Sequence, residues 1–163
     1  LGLTEVNVMN ELVYRNLSED AKRQICAWKY GGEYDLYNLP AYEEMQVRQI
    51  GFMNPQREKN YYGFWDESIL VGFVNILEEK EEIFIGIGVN PDLCNKHYGQ
   101  RMLLIAYEIS KKLYPNKPLY LEVRTWNIRA VKCYQKAGFR IDGQAYELTT
   151  GIGTGTFYRM IRE

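Results

Sequence analysis

The segment that decides the fold opens with IFIGIGVNPDLCNKHYGQR at residues 83–101 and closes with NIRAVKCYQKAGF at residues 127–139. Residues 83–89 have the composition of a strand, with a β-branched residue at every odd position. The even positions are Phe84, Gly86 and Gly88, and glycine inside a strand leaves bare backbone that a ligand can approach. We interpret this glycine face as a ligand trough, and a β-bulge at the glycines is the alternative.

A loop at residues 90–101 leads from this strand into a helix. The helix is indicated by apolar residues at helical spacing, namely Met102, Ile105, Ala106, Ile109 and Leu113. Unpaired N–H groups and the positive end of the dipole make a helix start a good site for phosphate oxygens, and Lys96 and Arg101 add positive charge. The loop therefore predicts a diphosphate site, and an ordinary connection with solvated basic residues is the alternative.

A second strand is predicted at residues 119–124, apolar on one face and carrying Tyr120, Glu122 and Arg124 on the other. Because a strand in the middle of a covered sheet is apolar on both faces, this polar row predicts the wall of a cleft. An edge strand with a solvated face is the alternative. The helix that follows has a good N-cap in Asn127 and a good terminating residue in Gly138, both explained by local physics alone.

Two motifs in this segment resemble those of the GNAT N-acetyltransferases. The hexapeptide 94–99 resembles motif A, Gln/Arg-x-x-Gly-x-Gly/Ala, with Cys94 in place of Gln/Arg, His97 in place of the first glycine and Gly99 in agreement. Residues 127–139 resemble motif B, Asn-x-x-Ala-x-x-x-Tyr-x-x-x-Gly-Phe, at every named position. The preceding LEVR at 121–124 is similar to that of the bacterial ribosomal-protein alanine N-acetyltransferases. A side chain at position 97 hinders close backbone approach, so the departures from motif A bear on cofactor affinity.

The resemblance implies an α/β (α+β) acyltransferase fold. This fold has a mixed, mostly antiparallel sheet flanked by helices, with two splayed parallel strands at its centre. The resemblance also implies acetyl-CoA as co-substrate. The residues that would bind it are Ile87, Gly88, Val89, Cys94, Asn95, Lys96, His97, Tyr98, Gly99, Gln100, Asn127 and Tyr134.

In the resembled enzymes the position of Glu122 serves as general base and the position of Tyr134 as general acid. An amine attacks a thioester only when it is neutral, so a carboxylate, directly or through water, takes a proton from the acceptor ammonium. A phenol then protonates the departing thiolate. Orientation of the two reactants in one cleft makes a nucleophilic residue unnecessary. The resemblance further implies that the backbone N–H near Val89 holds the thioester oxygen.

Composition limits the class of protein. The length of 163 residues predicts one domain, 1–163, with an extension at about residues 1–10. A net charge of -1 with interspersed charges favours neither nucleic acid nor a membrane surface as partner. Three widely spaced cysteines fit reduced thiols, and a single histidine argues against a zinc site. The absence of a signal-peptide pattern and of a long apolar run predicts a cytoplasmic protein, with a homodimer possible.

The remaining elements are predicted from start, stop and turn signals. We expect a strand at 11–17, a helix from Ser18 to Trp28 ended by Gly31 and Gly32, and a second helix at 41–51. A hairpin is predicted from strands at 61–66 and 70–77, and two further strands at 144–148 and 156–161.

The connection between the two early helices is rich in aromatic residues. We predict that Trp28, Tyr30, Tyr34 and Tyr37 bind the acceptor, because aromatic rings beside carboxylates suit a cationic amine. The alternative is that these rings only pack the loop onto the sheet. Two acceptors remain open, a protein N-terminal α-amine and a small-molecule amine. A non-catalytic module that binds acyl-CoA as a sensor or interaction domain is the alternative function.

Overall fold

The computed structural model describes residues 11–163, and the extension predicted at about residues 1–10 lies outside them. The strands are β1 (Val13–Asn16), β2 (Tyr61–Asp66), β3 (Ile69–Glu78), β4 (Ile83–Val89), β5 (Leu119–Arg124), β6 (Arg140–Ile141), β7 (Tyr146–Thr150) and β8 (Gly153–Arg162). The helices are α1 (Glu19–Ala27), α2 (Tyr42–Arg48), α3 (Tyr98–Leu113) and α4 (Ile128–Lys136). Short 3₁₀ turns lie at Gly32–Tyr37, Gly51–Met53, Glu58–Asn60 and Pro91–Leu93.

The strands form one mixed sheet in the order β1-β2-β3-β4-β5-β8-β6, with β7 paired to β8. The pairing of β4 with β5 is parallel, and the other pairings described are antiparallel. The parallel pairing covers only two positions, Ile83 with Leu119 and Phe84 with Tyr120. Beyond Phe84 the two strands separate, because β4 stays with β3 and β5 stays with β8. The predicted fold class, including the splayed central strands, is confirmed.

The strand predictions hold in most places. The hairpin at residues 61–77 is confirmed, with Glu67 in the left-handed turn conformation at φ 55°. The alternative of a β-bulge at Gly86 and Gly88 is wrong, because β4 keeps a continuous register with β3 through both glycines. The irregularity in the described sheet falls instead between Phe64 and Trp65 in β2.

Several predicted boundaries need correction. Helix α1 ends at Ala27, before Gly31 and Gly32, because Trp28 turns into extended backbone and its N–H closes on Ile25. Helix α2 ends at Arg48 rather than at residue 51, because Gln49 adopts a left-handed conformation that terminates it. Strand β7 begins two residues later than predicted, at Tyr146, and continues to Thr150.

The polar carboxyl-terminal hairpin is longer than its composition suggests. Strand β8 begins at Gly153 instead of residue 156, since Thr149 pairs with Thr154 across the turn. The two-residue strand β6, which the sequence did not predict, pairs with Ile161 and Met160.

Two hydrophobic cores lie on opposite faces of the sheet. The first core packs α3 and α4 against the odd positions of β4 and β5, with Met102, Ile85 and Leu121 fully or almost fully buried. The second core packs α1 and α2 against the other face, where Ile25 and Phe52 are buried and Phe73 packs against them. The gap between the separated ends of β4 and β5 lies between the α3–α4 layer and the α1–α2 layer. Residues from both faces of the sheet therefore line this gap.

Candidate active site

The separation of β4 from β5 exposes main-chain polar groups along the inner edge of β4. The Ile83 N–H donates across to the Pro118 carbonyl, whereas the Asn90 N–H donates to Val71 on the β3 side. Because successive residues of a strand direct their N–H and C=O to opposite sides, the main chains of Ile85, Ile87 and Val89 face the gap. The gap opens into a cavity of ≈ 610 Å³, a volume typical of small-molecule sites.

The glycine face of β4 is bare only in part. A Cβ atom at Gly88 would lie 2.4 Å from the ring of Phe73 on the neighbouring strand, so Phe73 occupies the space that this glycine leaves. At Gly86 a Cβ atom would meet its nearest neighbour at 3.4 Å, an ordinary contact. Both glycines line the cavity together with Phe73. Packing against Phe73 therefore accounts for Gly88, and the ligand surface consists chiefly of the strand edge.

The loop before α3 places helix-start amides at the cavity. His97 is the residue before the helix and has a left-handed backbone, with φ 66°. This conformation explains why glycine suits the position in the resembled motif, since L-residues are strained there. The first turn of α3 brings Tyr98, Gly99 and Gln100 to the cavity lining, whereas Lys96 is exposed and outside it.

Helices α3 and α4 contact each other at Gly99 and Cys133. A Cβ atom at Gly99 would come within 3.0 Å of the Cys133 sulfur, so glycine allows α3 and α4 to approach closely. Cys94, at the Gln/Arg position of motif A, directs its thiol to the Asn90 carbonyl at 3.7 Å. Burial raises the pKa of the Cys94 thiol, which keeps it protonated and poorly nucleophilic.

Tyr134 lines the cavity from α4 and has no hydrogen-bond partner among residues 11–163. Burial raises the pKa of its phenol above the usual value, so the hydroxyl keeps its proton. Asn127 lines the same cavity, and its side chain already accepts from the Ala130 N–H at 3.2 Å and donates to the Tyr37 hydroxyl at 3.2 Å. The structure thus supplies an uncommitted proton donor in Tyr134 and a more constrained amide in Asn127.

Glu122 also lines the cavity, and it accepts a hydrogen bond from the hydroxyl of Tyr146 on β7. Burial, and next this hydrogen bond, raise the pKa of Tyr146, so it remains a donor. The residue opposite Glu122 on β8 is Arg159, which forms ion pairs with Glu82 and Asp142. The sequence did not predict Tyr146, because Tyr146 lies 24 residues from Glu122 on β7, which pairs with β8 rather than with the strand that carries Glu122.

The four aromatic residues predicted to bind the acceptor all line the cavity. Tyr34 and Tyr37 pack against Trp126 with ring centroids 5.6 and 6.3 Å away, and Trp28 lies 6.3 Å from Phe73. The Tyr30 hydroxyl donates to the Val89 carbonyl at 2.7 Å, where it occupies one group of the β4 edge. These rings therefore pack the connection onto the sheet and also form a wall of the cavity.

The family model for the acetyltransferase (GNAT) family matches residues 15–139. The chain therefore belongs to the GNAT acetyltransferase family. No curated protein matches the sequence. In the part of the chain that the structure describes, no group of three potential metal ligands forms a metal site, and no helix is long and apolar enough to span a bilayer.

Solved structures of the same fold include enzymes with different acceptors. A chimera of the spermidine N-acetyltransferase SpeG from Vibrio cholerae and hSSAT superposes with a TM-score of 0.74 at 20% identity, covering 94% of this chain and 95% of the other. The ribosomal-protein-S18-alanine N-acetyltransferase from Escherichia coli gives 0.64 at 18% identity, with 93% of each chain covered. AAC(6')-Ib in complex with ribostamycin and coenzyme A gives 0.70 at 16% identity, covering 94% and 93%. At these identities the likeness supports the fold and leaves the acceptor open.

Proposed function

We propose that this protein transfers an acetyl group from acetyl-CoA to a primary amine by direct attack of the amine. One observation carries the proposal. The main-chain edge of β4, of which the Val89 carbonyl is bonded to Tyr30, and the uncommitted phenol of Tyr134 line the same ≈ 610 Å³ cavity. An extended amide-containing chain binds along such an edge as an added strand does, and a phenol supplies a proton to a leaving group.

The residues around the cavity fit acetyl-CoA, which supplies the activated acetyl thioester. Ile87 offers its N–H and C=O, and Val89 its N–H, to the pantetheine arm, since the register of β4 directs these groups toward the gap and the Val89 carbonyl accepts from Tyr30. The amides of Tyr98, Gly99 and Gln100 at the start of α3 suit the diphosphate. On α4, Arg129, Lys132 and Lys136 also line the cavity and add positive charge.

Glu122 and Tyr134 divide the proton transfers. Glu122 takes a proton from the acceptor ammonium, directly or through water, and the hydrogen bond from Tyr146 holds its carboxylate in place. Tyr134 protonates the sulfur as it leaves, because its hydroxyl faces the cavity and a phenol carries its proton at neutral pH. A cytoplasmic location and a homodimer stay predictions.

Calorimetry with acetyl-CoA, followed by a thiol-release assay over amines and peptides, tests the proposal. We expect binding and acceptor-dependent release of free CoA. Absence of heat and of a thermal shift at millimolar acetyl-CoA would overturn the transferase proposal at its first step. Binding without thiol release for any amine would instead favour the non-catalytic acyl-CoA sensor, for which the departures at Cys94 and His97 and the engaged side chain of Asn127 are the supporting observations.

A further inference from the structure

The cavity lining carries more positive than negative side chains. Within residues 11–163 the lining contains one carboxylate, that of Glu122, and four cationic side chains. Three of the cations, Arg129, Lys132 and Lys136, follow helical spacing along α4. Lys132 and Lys136 suit the phosphates of the co-substrate, and Arg129 lies over the ring of Tyr34, 4.1 Å from its centroid. Arg124 stands apart from them at the end of β5. Its guanidinium therefore needs a separate explanation.

Arg124 lies on the acceptor side of the sheet. Leu121 and Val123 point into the first core with α3, so the alternating positions Glu122 and Arg124 point to the face covered by α1 and α2. That face carries the aromatic wall of the cavity, including Trp28. The arginine thus lies on the face of β5 opposite to α3, whose first-turn amides suit the diphosphate.

The guanidinium of Arg124 is restrained and has no ion-pair partner among the described residues. It lies over the ring of Phe157 at 4.8 Å from the centroid. It also lies against Gly155, where a Cβ atom would come within 2.0 Å of Nη1. A restrained arginine that lines a cavity and lacks a carboxylate partner is suited to bind an anionic group of a ligand.

We propose that the acceptor is a primary amine that also carries an anionic group, a carboxylate or a phosphate, bound by Arg124. This inference rests on the proposed acetyl transfer and specifies its substrate class. Glu122 and Arg124 are two residues apart on one strand face, about 7 Å between Cα atoms. A bound acceptor places its ammonium at Glu122 and its anion at Arg124. Polycations such as spermidine are poor acceptors here, because a second ammonium would meet the guanidinium of Arg124 where the anion binds, and Glu122 is the one carboxylate in the lining within residues 11–163.

Matched amines that differ in the presence of one anionic group test the proposal. The pairs are glycine and glycinamide, phosphoethanolamine and ethanolamine, and peptides beginning Ala-Asp and Ala-Asn, with spermidine as the polycation. Binding to the protein with CoA present, and kcat/KM for thiol release, are measured for each. We expect the anionic member of at least one pair to be favoured about tenfold or more, as one charge-assisted bidentate contact provides. The favoured pair identifies the anion and its source.

Variants at two positions then assign the preference to the guanidinium. Arg124→Gln should remove the preference and leave acetyl-CoA affinity unchanged, whereas Arg140→Gln, at an exposed arginine in β6, should retain it. Gly155→Ala should weaken the preference by displacing the guanidinium. Gly151→Ala is its matched control, because no atom lies within 4 Å of that Cβ position. Thermal melting confirms that each variant is folded.

The outcomes separate the two proposals. If the unmodified protein does not bind acetyl-CoA, both the proposed acetyl transfer and the proposed acceptor class are overturned. Acetylation of both members of every pair at equal rates, or a preference for spermidine, would overturn the acceptor class and keep acetyl transfer. A preference that persists in both Arg124→Gln and Gly155→Ala would also overturn the role of Arg124.

Discussion

At the scale of single residues, Tyr134 makes the most specific chemical prediction. Its hydroxyl lines the cavity without a partner among the described residues, and burial raises the pKa of the phenol. Replacement by Phe keeps the ring and removes only the proton donor. We expect Tyr134→Phe to slow the chemical step about 10²-fold or more, with little change in stability or acetyl-CoA affinity.

Single-turnover kinetics is the appropriate measurement for Tyr134→Phe, because slow product release could hide the loss. Tyr107→Phe is a matched control, since Tyr107 lies on α3 outside the cavity lining. An unchanged single-turnover rate in Tyr134→Phe would leave this side chain with a packing role only.

The proposed role of Glu122 as general base predicts that the effect of Glu122→Gln on turnover depends on pH. If the carboxylate generates the neutral amine, Glu122→Gln lowers turnover most at a pH well below the pKa of the acceptor amine. The loss should shrink as the pH approaches that pKa, because the solvent then supplies the neutral nucleophile. Rates measured across pH test this, with the exposed Glu147→Gln in β7 as control. A loss of equal size at every pH would indicate that Glu122 only positions the acceptor.

Substitution of His97 measures how much a side chain in the loop before α3 reduces stability and acetyl-CoA affinity. Its φ of 66° is a conformation in which glycine is favoured over L-residues by about 1 kcal/mol. We expect His97→Gly to keep or slightly raise the free energy of unfolding and to keep or tighten acetyl-CoA binding, whereas His97→Ala lowers the stability. Urea unfolding and calorimetry measure the two effects. A large loss of affinity in His97→Gly would show that the imidazole is itself a phosphate ligand.

At the level of the elements, two helices begin with the same side-chain capping hydrogen bond and have different neighbours. Ser18 accepts from the Ala21 N–H at 3.1 Å at the start of α1, and Asn127 accepts from the Ala130 N–H at 3.2 Å at the start of α4. Only Asn127 lines the cavity. We therefore expect Ser18→Ala and Asn127→Ala each to lower the free energy of unfolding by about 1 kcal/mol.

The two cap variants should differ in function. Asn127→Ala also removes the hydrogen bond to the Tyr37 hydroxyl, so we expect it to weaken acetyl-CoA binding as well as stability. Ser18→Ala should leave binding unchanged. Urea unfolding with parallel calorimetry measures both quantities. Equal binding by the two variants would mean that Asn127 serves α4 alone.

At the scale of the whole molecule, the layer formed by α1 and α2 is attached through a polar network as well as its core. Lys22 is buried and contacts Glu19 at 3.1 Å and Glu58 at 2.6 Å, and Glu19 accepts from the Tyr42 hydroxyl. The hydrogen bond from Tyr42, and next that from Lys22, lower the pKa of Glu19. A lowered pKa contributes stability above the unfolded value, and this contribution is lost as the pH falls through the folded value.

This network predicts a pH-dependent effect of Tyr42→Phe. Removing the hydroxyl raises the pKa of Glu19 back toward its unfolded value, so the variant is destabilised at neutral pH. The difference from the unmodified protein should shrink as the pH falls from the unfolded pKa of Glu19 through its lower pKa in the folded protein, below which Glu19 is protonated in both proteins. Urea unfolding at several pH values measures it, with Tyr61→Phe as a control lacking a carboxylate partner. A difference that is constant with pH would contradict this account.

Features that depend on neighbours along the chain could be predicted from the amino-acid pattern alone. The caps at Ser18 and Asn127, the hairpin turn at Glu67 and the alternation of β4 were all predictable, because each arises from residues within one turn or one strand. Motif B identified the family from the same short range. Boundaries without a strong local signal, such as the end of α1 and the start of β8, were misplaced because pairing and packing decided them.

Only the tertiary structure decided which distant side chains meet. Tyr146 reaches Glu122 across 24 residues, Tyr30 reaches Val89 across 59, and Phe73 fills the space beside Gly88 from another strand. No local pattern encodes these contacts, because the register between strands and the separation of β4 from β5 result from how the whole sheet packs against two cores. The same packing leaves Arg124 without a carboxylate partner in the described chain. The sequence therefore identified the acetyltransferase family, and the tertiary structure decided the charge and shape of the cavity that we propose as the acceptor site.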